Sequence, residues 1–111
     1  MAMPGKFTIT KGRNQKFYFN LKGPNGEIIL ASQGYARRHG CRKGIESVRT
    51  NSRIQKRFET KSSKRGQSYF VLKAKNGQVI GQSQMYKTVR SSAKGKQSVR
   101  KNAHSAKLAK S

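Results

Sequence analysis

Apolar and polar residues alternate along four short segments of the chain, and turn-forming residues follow each of them. KFTIT and KFYFNLK lie in the first half, and RFETK and SYFVLKA lie in the second half. Aromatic and β-branched residues arranged in this way are typical of strands. Asn-Gly follows the longer segment of each half and favours a type I′ hairpin turn. The segments EIILASQ and QVIGQSQ then complete two predicted hairpins.

The period of the pattern changes after the second tyrosine of each half. Cys41, Ile45 and Val48 recur at helical spacing, which places them on one face of a predicted helix. The equivalent positions of the second half form a less apolar face, with Ser92, Lys96 and Val99.

Glycine interrupts both predicted helices at equivalent positions, Gly44 and Gly95. Because glycine inside a helix costs about 1 kcal/mol relative to alanine, this placement indicates a close approach of each helix to the sheet. Thr88, Ser91 and Ser92 are the candidate N-caps of the second helix, whereas the first helix has no favourable cap.

The two halves match without a gap at an offset of 51 residues. Phe7 matches Phe58, Leu21 matches Leu72, and Ser-Val-Arg occurs at both 47–49 and 98–100. The chain therefore contains one β-β-β-α unit twice, and neither unit can bury its apolar face alone.

We predict an α+β fold with pseudo-two-fold symmetry. Residues 1–52 and 53–102 form the two units, which share one mainly antiparallel sheet with both helices on one face. Because each unit supplies the other's partner, a monomer is expected. Residues 103–111 are predicted to be a flexible basic tail, with a short edge strand as the alternative.

The repeated motif resembles that of a known family. The stretches NLK and NGEIIL, followed by GIESVRTNS at residues 44–52, are similar to the YegP-like family of small uncharacterised bacterial proteins. The resemblance covers both units to about Asn102. It implies tandem β-β-β-α units that exchange strands within one sheet, with the helices on one face. It implies no biochemical activity, since none is established for the family, and typical members are far less basic than this chain.

Alternation along the strands assigns the side chains to two faces of the predicted sheet. Tyr18 and Lys22 in the first unit, and Tyr69 and Lys73 in the second, lie on a face that we expect to be open to water. Ile29 and Ile80 are assigned to the same open face. The predicted core face consists of Phe7, Ile9, Phe19, Leu21, Ile28, Leu30, Phe58, Phe70, Leu72 and Val79.

The charge balance bears most directly on function. The chain has 26 Lys and Arg residues against 3 acidic residues, all Glu, and its net charge is +23. A chain with this charge attracts polyanions. Three basic clusters are candidate phosphate contacts: Arg37, Arg38, Arg42 and Lys43; Lys56, Arg57, Lys64 and Arg65; and Arg90, Lys94, Lys96, Arg100 and Lys101.

These features favour non-sequence-specific binding of RNA or single-stranded DNA, or of another polyanion. Bases would stack on Tyr18 and Tyr69 while Lys22 and Lys73 contact phosphate. Tyrosines on an open face also serve simply to cover the sheet and to pair across strands. The alternative is a structural or protein-interaction module for an acidic partner or anionic surface, its charge being a general surface property.

The sequence offers little for catalysis. Its three Glu residues form no evident acid–base pair, and His39, Cys41 and His104 are too few for a structural zinc site. We expect no enzymatic activity, metal or cofactor; a redox or transferase role for Cys41 is a third hypothesis. A single cysteine, no secretory signal and no membrane-length apolar run predict a soluble, cytoplasmic protein.

Overall fold

The computed structural model describes residues 5–109 of the chain. These residues form two successive β-β-β-α units and a final short strand. The helices are α1 (Arg38–Asn51) and α2 (Val89–Asn102), and a 3₁₀ turn (Gln55–Arg57) lies between the units. The strands are β1 (Lys6–Lys11), β2 (Phe17–Lys22), β3 (Ile28–Ala31), β4 (Phe58–Ser62), β5 (Ser68–Lys73), β6 (Val79–Gln82) and β7 (Lys107–Leu108).

All of these strands belong to one sheet, in the spatial order β4-β5-β6-β3-β2-β1-β7. Neighbouring strands from β4 to β1 are antiparallel, and β7 runs parallel to β1. The two repeats meet between β3 and β6, where Ala31 lies opposite Gln82. Because these residues are separated by the repeat offset, the pseudo-two-fold axis passes between them. The α+β architecture predicted from the repeat is confirmed.

Both helices pack on the same face of the sheet and enclose the hydrophobic core. Cys41, Ile45 and Val48 of α1 are buried there, as their spacing predicts, together with Val99 of α2. Each helix also contacts the other repeat, α1 through β5 and β6, and α2 through β3. Neither repeat therefore completes its core without the other.

A bulge in each repeat corrects the predicted assignment of side chains to faces. The register of β2 and β3 shifts between Leu21 and Lys22. As a result Ile28, predicted in the core, lies opposite Lys22 on the open face and is 42% exposed, whereas Ile29, predicted on the open face, is buried. Strict alternation fails at a bulge because one strand contributes an extra residue. The second repeat has the same irregularity, with Val79 opposite Lys73 on the open face and Ile80 buried.

The Asn-Gly hairpins also differ from the prediction. In a type I′ turn both central residues have positive φ, but here only the glycines do, Gly26 at 83° and Gly77 at 87°. The amide of Gly26 donates to the carbonyl of Gly23 at 2.9 Å, which closes the turn one residue earlier than expected. The side chain of Asn25 instead accepts a hydrogen bond from the amide of Glu27 at 3.0 Å. This arrangement is a three-residue hairpin loop in which glycine occupies the left-handed position.

The two helices begin differently, as the sequence indicates. The hydroxyl of Thr88 accepts a hydrogen bond from the amide of Ser91 at 3.0 Å and caps α2. Arg37 occupies the equivalent position before α1 and makes no capping hydrogen bond through its side chain. Thr88 is therefore the N-cap among the three candidates of α2.

The segment after α2 contains the short edge strand that the sequence offers as an alternative to a flexible tail. Ala103 and Ala106 are buried in the core, and β7 adds to the outer edge of β1. The amide of Ala109 also donates to the carbonyl of Phe7 at 2.8 Å. The last two residues of the chain, 110 and 111, lie outside the described residues.

Candidate nucleic-acid interface

The open face of the sheet carries the four sequence-predicted stacking and phosphate-binding residues. Tyr18 pairs across strands with Thr10, and Tyr69 pairs with Lys61, so both rings lie on the face opposite the helices. Lys22 and Lys73 lie on the same face and are half-buried. A row of side chains crosses this face from one edge to the other and consists of Thr8, Asn20, Ala31, Gln82, Val71 and Glu59.

The two tyrosines do not form one continuous platform. They lie on β2 and β5, which are three strand spacings apart, or about 14 Å. Pseudo-two-fold symmetry also places them on opposite sides of the central row, which separates them by about 13 Å along the strands. The resulting distance of about 20 Å is too large for stacking on neighbouring bases. The two rings are therefore separate features of the open face.

Tyr18 is held by the turns around it. Its hydroxyl accepts a hydrogen bond from Asn14 Nδ2 at 2.9 Å. A Cβ atom added to Gly12 would lie 3.0 Å from the Tyr18 ring, and one added to Gly34 would lie 3.0 Å from its hydroxyl. These contacts give Tyr18 a structural role in closing the end of the first hairpin.

The lysine of the second repeat is already paired with an acid. Lys73 Nζ lies 2.7 Å from Glu59 Oε1, and Lys61 Nζ lies 3.4 Å from Glu59 Oε2. The hydrogen bond and positive charge of Lys73 lower the pKa of Glu59, with a further contribution from Lys61. Lys22 has no such acidic partner within residues 5–109. The open face is therefore more basic in the first repeat than in the second.

The helical side of the molecule carries most of the remaining candidates. Arg37, Arg38, Arg42 and Lys43 are exposed at the start of α1, and the Arg38 guanidinium lies 5.2 Å from the centre of the Phe17 ring. The basic residues of α2 are exposed except Lys96, which is half-buried; the exposed ones are Arg90, Lys94, Arg100 and Lys101.

Three basic residues of α2 lie on one stripe of the helix. At 100° per residue, Arg90, Lys94 and Lys101 fall within about 40° of one another around the axis. Their Cα atoms extend over about 16 Å of helix, at 1.5 Å per residue. The sequence predicts a basic helix. The helix boundaries in the structure show which of its basic side chains point the same way. This stripe can follow a phosphate backbone.

The basic residues between the repeats are dispersed. Lys56 is exposed in the 3₁₀ turn, and Lys64 and Arg65 are exposed at the tip of the β4–β5 hairpin. Arg57 is half-buried, and its Nε is enclosed without a hydrogen-bond partner among the described residues. The structure does not bring this cluster together as one site.

The structure contains a basic cleft that the sequence does not predict. Arg53, Gln97, Arg100, Lys101 and His104 line it. Arg53 and His104 are separated by the repeat offset of 51, which is the one sequence signal that relates them. Spacing alone does not show that the segments after α1 and α2 face the same cleft.

Among the described residues, Cys41 and Tyr35 have pKa values shifted upward, which disfavours their nucleophilic, ionised forms. Cys41 is fully buried, and this burial raises the pKa of its thiol, an effect that nearby Arg38 opposes. Burial also raises the pKa of Tyr35. Across residues 5–109, no three His, Cys, Asp or Glu side chains lie together as metal ligands. No described helix is both long and apolar enough to cross a bilayer.

Comparison with known proteins identifies the repeat. The family model described as Domain of unknown function (DUF1508) matches twice, at residues 13–59 and 63–109. A UPF0339 protein of Photorhabdus laumondii is 46% identical over 101 residues, which cover 91% of this chain and 89% of that relative. UPF0339 protein YegP of Escherichia coli K12 is 46% identical over 100 residues, which cover 90% and 91% of the two chains.

Two solved structures share the fold along most of their length. The solution NMR structure of E. coli YegP, a protein of unknown function, aligns with a TM-score of 0.91 at 44% identity, covering 97% of this chain and 93% of that one. The NMR structure of a UPF0339 protein from Shewanella oneidensis aligns with a TM-score of 0.89 at 42% identity, covering 96% and 90%. The chain therefore belongs to the YegP-like family of uncharacterised proteins, in its tandem-repeat form.

Proposed function

We propose that the protein is a small, non-enzymatic nucleic-acid-binding protein that contacts the phosphate backbone without reading base sequence. The observation that carries the proposal is the nearly uncompensated positive charge of the molecule. The chain has 26 basic residues, and within residues 5–109 only three of them, Arg49, Lys61 and Lys73, form ion pairs with a carboxylate. Most of the other described basic side chains are exposed and have no carboxylate partner among residues 5–109.

The helical side is the principal contact surface in this proposal. Arg90, Lys94 and Lys101 project from one stripe of α2, and α1 presents Arg42 and Lys43 on the same layer of the fold. Each lysine or arginine that neutralises a phosphate releases a condensed counterion, so affinity arises without base contacts. The fold needs no second subunit for this surface, because the two repeats complete one sheet, and we propose a cytoplasmic monomer.

The open sheet face is a secondary surface in the proposal. Lys22 has no acidic partner among the described residues, and Tyr18 and Tyr69 each present a half-buried ring. Single-stranded RNA or DNA is flexible enough to reach one such ring while its phosphates remain on basic side chains. A preference for single strands is thus proposed to depend on isolated tyrosine contacts.

Fluorescence anisotropy of labelled single-stranded RNA, single-stranded DNA and duplex DNA, measured against salt, tests the proposal. We expect binding at about 0.15 M salt with a steep linear dependence of log affinity on log salt. The Arg90→Gln/Lys94→Gln/Lys101→Gln variant is expected to reduce the single-strand slope by about 2, since each lost phosphate contact removes about 0.7.

A matched control removes the same charge elsewhere. Arg13, Lys16 and Lys75 are exposed and lie in hairpin turns, not on either helix, so their triple glutamine variant is expected to change the slope much less. Equal effects of the two variants would refute the helical surface as the contact. Binding of an acidic peptide with no binding of any nucleic acid would refute the proposed function and favour an acidic protein partner.

A further inference from the structure

The basic cleft beside the end of α2 has a composition that distinguishes it from the rest of the surface. It is a shallow, widely open depression of about 380 Å³, and the residues that line it supply Arg53, Arg100 and Lys101 as cations, with Gln97 and His104 as further polar groups. None of the described residues that line it carries a carboxylate. Three cations in one concave site repel one another, so the cleft favours a bound anion.

The internal repeat shows what the equivalent arginine does when it has a partner. Arg100 corresponds to Arg49, and Gln97 corresponds to Glu46. In the first repeat Arg49 pairs with the Glu46 carboxylate and donates to the carbonyl of Ala106 at 2.7 Å. Its guanidinium also lies 5.3 Å from the centre of the Phe7 ring.

The second repeat lacks the carboxylate and carries an additional positive charge. Gln97 replaces the carboxylate, and Lys101 replaces the neutral Thr50 of the first repeat. Within residues 5–109 no acidic side chain forms an ion pair with Arg53, Arg100 or Lys101. The guanidinium of Arg100 therefore presents a planar set of N–H donors without the anion that its counterpart binds.

Part of the helix end is satisfied without these cations. Basic side chains commonly compensate the free carbonyls of a last helical turn. Here the carbonyl of Ser98 accepts from Asn102 Nδ2 at 2.8 Å, and that of Val99 accepts from the amide of Ala103 at 2.9 Å. The carbonyl of Asn102 accepts from the amide of Ala106 at 2.9 Å. Two of the last four carbonyls of α2, those of Val99 and Asn102, are thus satisfied by backbone amides.

We propose that this cleft binds one phosphate group of a nucleic-acid backbone. This site rests on the proposed function, and it is the place where the nucleic-acid backbone is bound most tightly. The Arg53 and Arg100 guanidiniums can each donate paired N–H groups to phosphate oxygens, and Lys101 adds a point charge. Gln97 and His104 supply further N–H donors for the remaining oxygen lone pairs.

Continuity with the rest of the surface favours a backbone phosphate over an isolated carboxylate. Lys101 belongs both to the cleft and to the α2 stripe that begins at Arg90. A nucleic-acid strand that follows the stripe therefore reaches the cleft, where one phosphate can accept hydrogen bonds from several donors. A phosphodiester, like a carboxylate, shares one negative charge between two oxygens, so it is the continuity with the α2 stripe that favours the backbone phosphate.

The Arg53→Gln/Arg100→Gln variant tests the site against Arg13→Gln/Lys75→Gln, which removes the same charge from two hairpin turns. All four residues are exposed, so thermal unfolding is expected to change little in either variant. For a labelled single-stranded oligonucleotide at about 0.15 M salt, we expect roughly a tenfold loss of affinity in the cleft variant and less than about threefold in the control. Inorganic phosphate is expected to shift the NMR signals of the Gln97 side-chain amide in the wild type and not in the cleft variant.

The outcomes separate this site from the proposed function. If the wild type binds the oligonucleotide and the two variants weaken it equally, the cleft assignment is refuted while the function stands. If the wild type does not bind the oligonucleotide, the proposed function is refuted as well. If a glutamate-rich peptide of equal charge binds as tightly and depends equally on Arg53 and Arg100, the cleft is a site for acidic protein segments and the phosphate assignment is refuted.

Discussion

The hydroxyl of Tyr35 lies against the backbone of Gly44, and this contact sets how closely α1 approaches the sheet. A Cβ atom at Gly44 would also lie 2.9 Å from the ring of Phe19, which is fully buried. Tyr35 and Phe19 stack with their ring centroids 6.1 Å apart. The same arrangement recurs in the second repeat, with Gly95, Tyr86 and Phe70. The glycine inside each helix is therefore a packing requirement of the aromatic pair beneath it.

Gly44→Ala is expected to destabilise the protein although alanine is the better helix former. The added methyl group gains about 1 kcal/mol of helix propensity, but overpacking against buried rings typically costs about 1–3 kcal/mol. We expect a net loss of up to about 2 kcal/mol in the free energy of unfolding, measured by urea denaturation. Gly40→Ala in the same helix is the control, because its Cβ would lie 3.6 Å from Tyr35, an ordinary contact, and it is expected to be neutral or stabilising. A Gly44→Ala variant as stable as Gly40→Ala would contradict this account.

Substitutions at the two helix N-caps are predicted to have opposite effects on stability. Thr88→Ala removes the cap of α2 and is expected to lower the free energy of unfolding by about 1 kcal/mol. Arg37 has the same extended backbone, with φ −132° and ψ 149°, and lacks a capping hydrogen bond. Arg37→Thr is therefore expected to stabilise α1 by up to about 1 kcal/mol. Both are read from denaturant midpoints, and a destabilised Arg37→Thr variant would show that the cap geometry of α2 does not transfer to α1.

The first hairpin contains a residue under backbone strain. Gln15 has φ 69°, and the equivalent residue of the second repeat is Gly66, with φ 81°. A non-glycine residue in the left-handed region costs roughly 1–2 kcal/mol, part of which glycine loses again through unfolded-state entropy. Gln15→Gly is therefore expected to raise the unfolding free energy by about 0.5–1 kcal/mol, and Gly66→Gln to lower it by a similar amount. Calorimetric melting points of the two variants check the pair, and a shift of the same sign in both would contradict the assignment.

The repeat made the architecture predictable because two units that cannot bury their apolar faces alone must share a sheet. Alternation failed at Ile28 and Ile29, since a bulge depends on the register of β2 with β3 and not on the composition of either strand. The candidate surface was less predictable. Residue types indicate affinity for phosphate, but the separation of Tyr18 from Tyr69 follows from strand order, which the repeat alone leaves open. The residues of the basic cleft come together only because the segments that follow the two helices fold back, which the sequence does not specify.

Glu59 gives the stability of the second repeat a defined dependence on pH. Its pairing with Lys73 and Lys61 lowers the pKa of its carboxyl in the folded state from the ordinary value of 4.5. A lowered folded-state pKa means that the stabilisation is present above pH 4.5 and is lost as the pH falls through the folded-state value. The difference in melting temperature between the wild type and Glu59→Gln is therefore expected to shrink below about pH 4.5. A difference that stays constant down to pH 2 would show that the pair does not contribute through ionisation.

Substitution of Glu59 also tests whether the open sheet face takes part in binding. Glu59→Gln frees Lys73 and Lys61 and raises the net charge by one. Glu27→Gln raises it equally but frees no lysine, since Glu27 accepts hydrogen bonds from Gln84 Nε2 at 2.9 Å and Asn25 Nδ2 at 3.4 Å. If phosphates contact the sheet face, Glu59→Gln is expected to raise single-strand affinity several-fold more than Glu27→Gln and to steepen the salt slope by about 0.7 for each new contact. Equal affinities of the two variants, measured by anisotropy at matched salt, would confine binding to the helical side, where Arg90, Lys94 and Lys101 already form a continuous stripe.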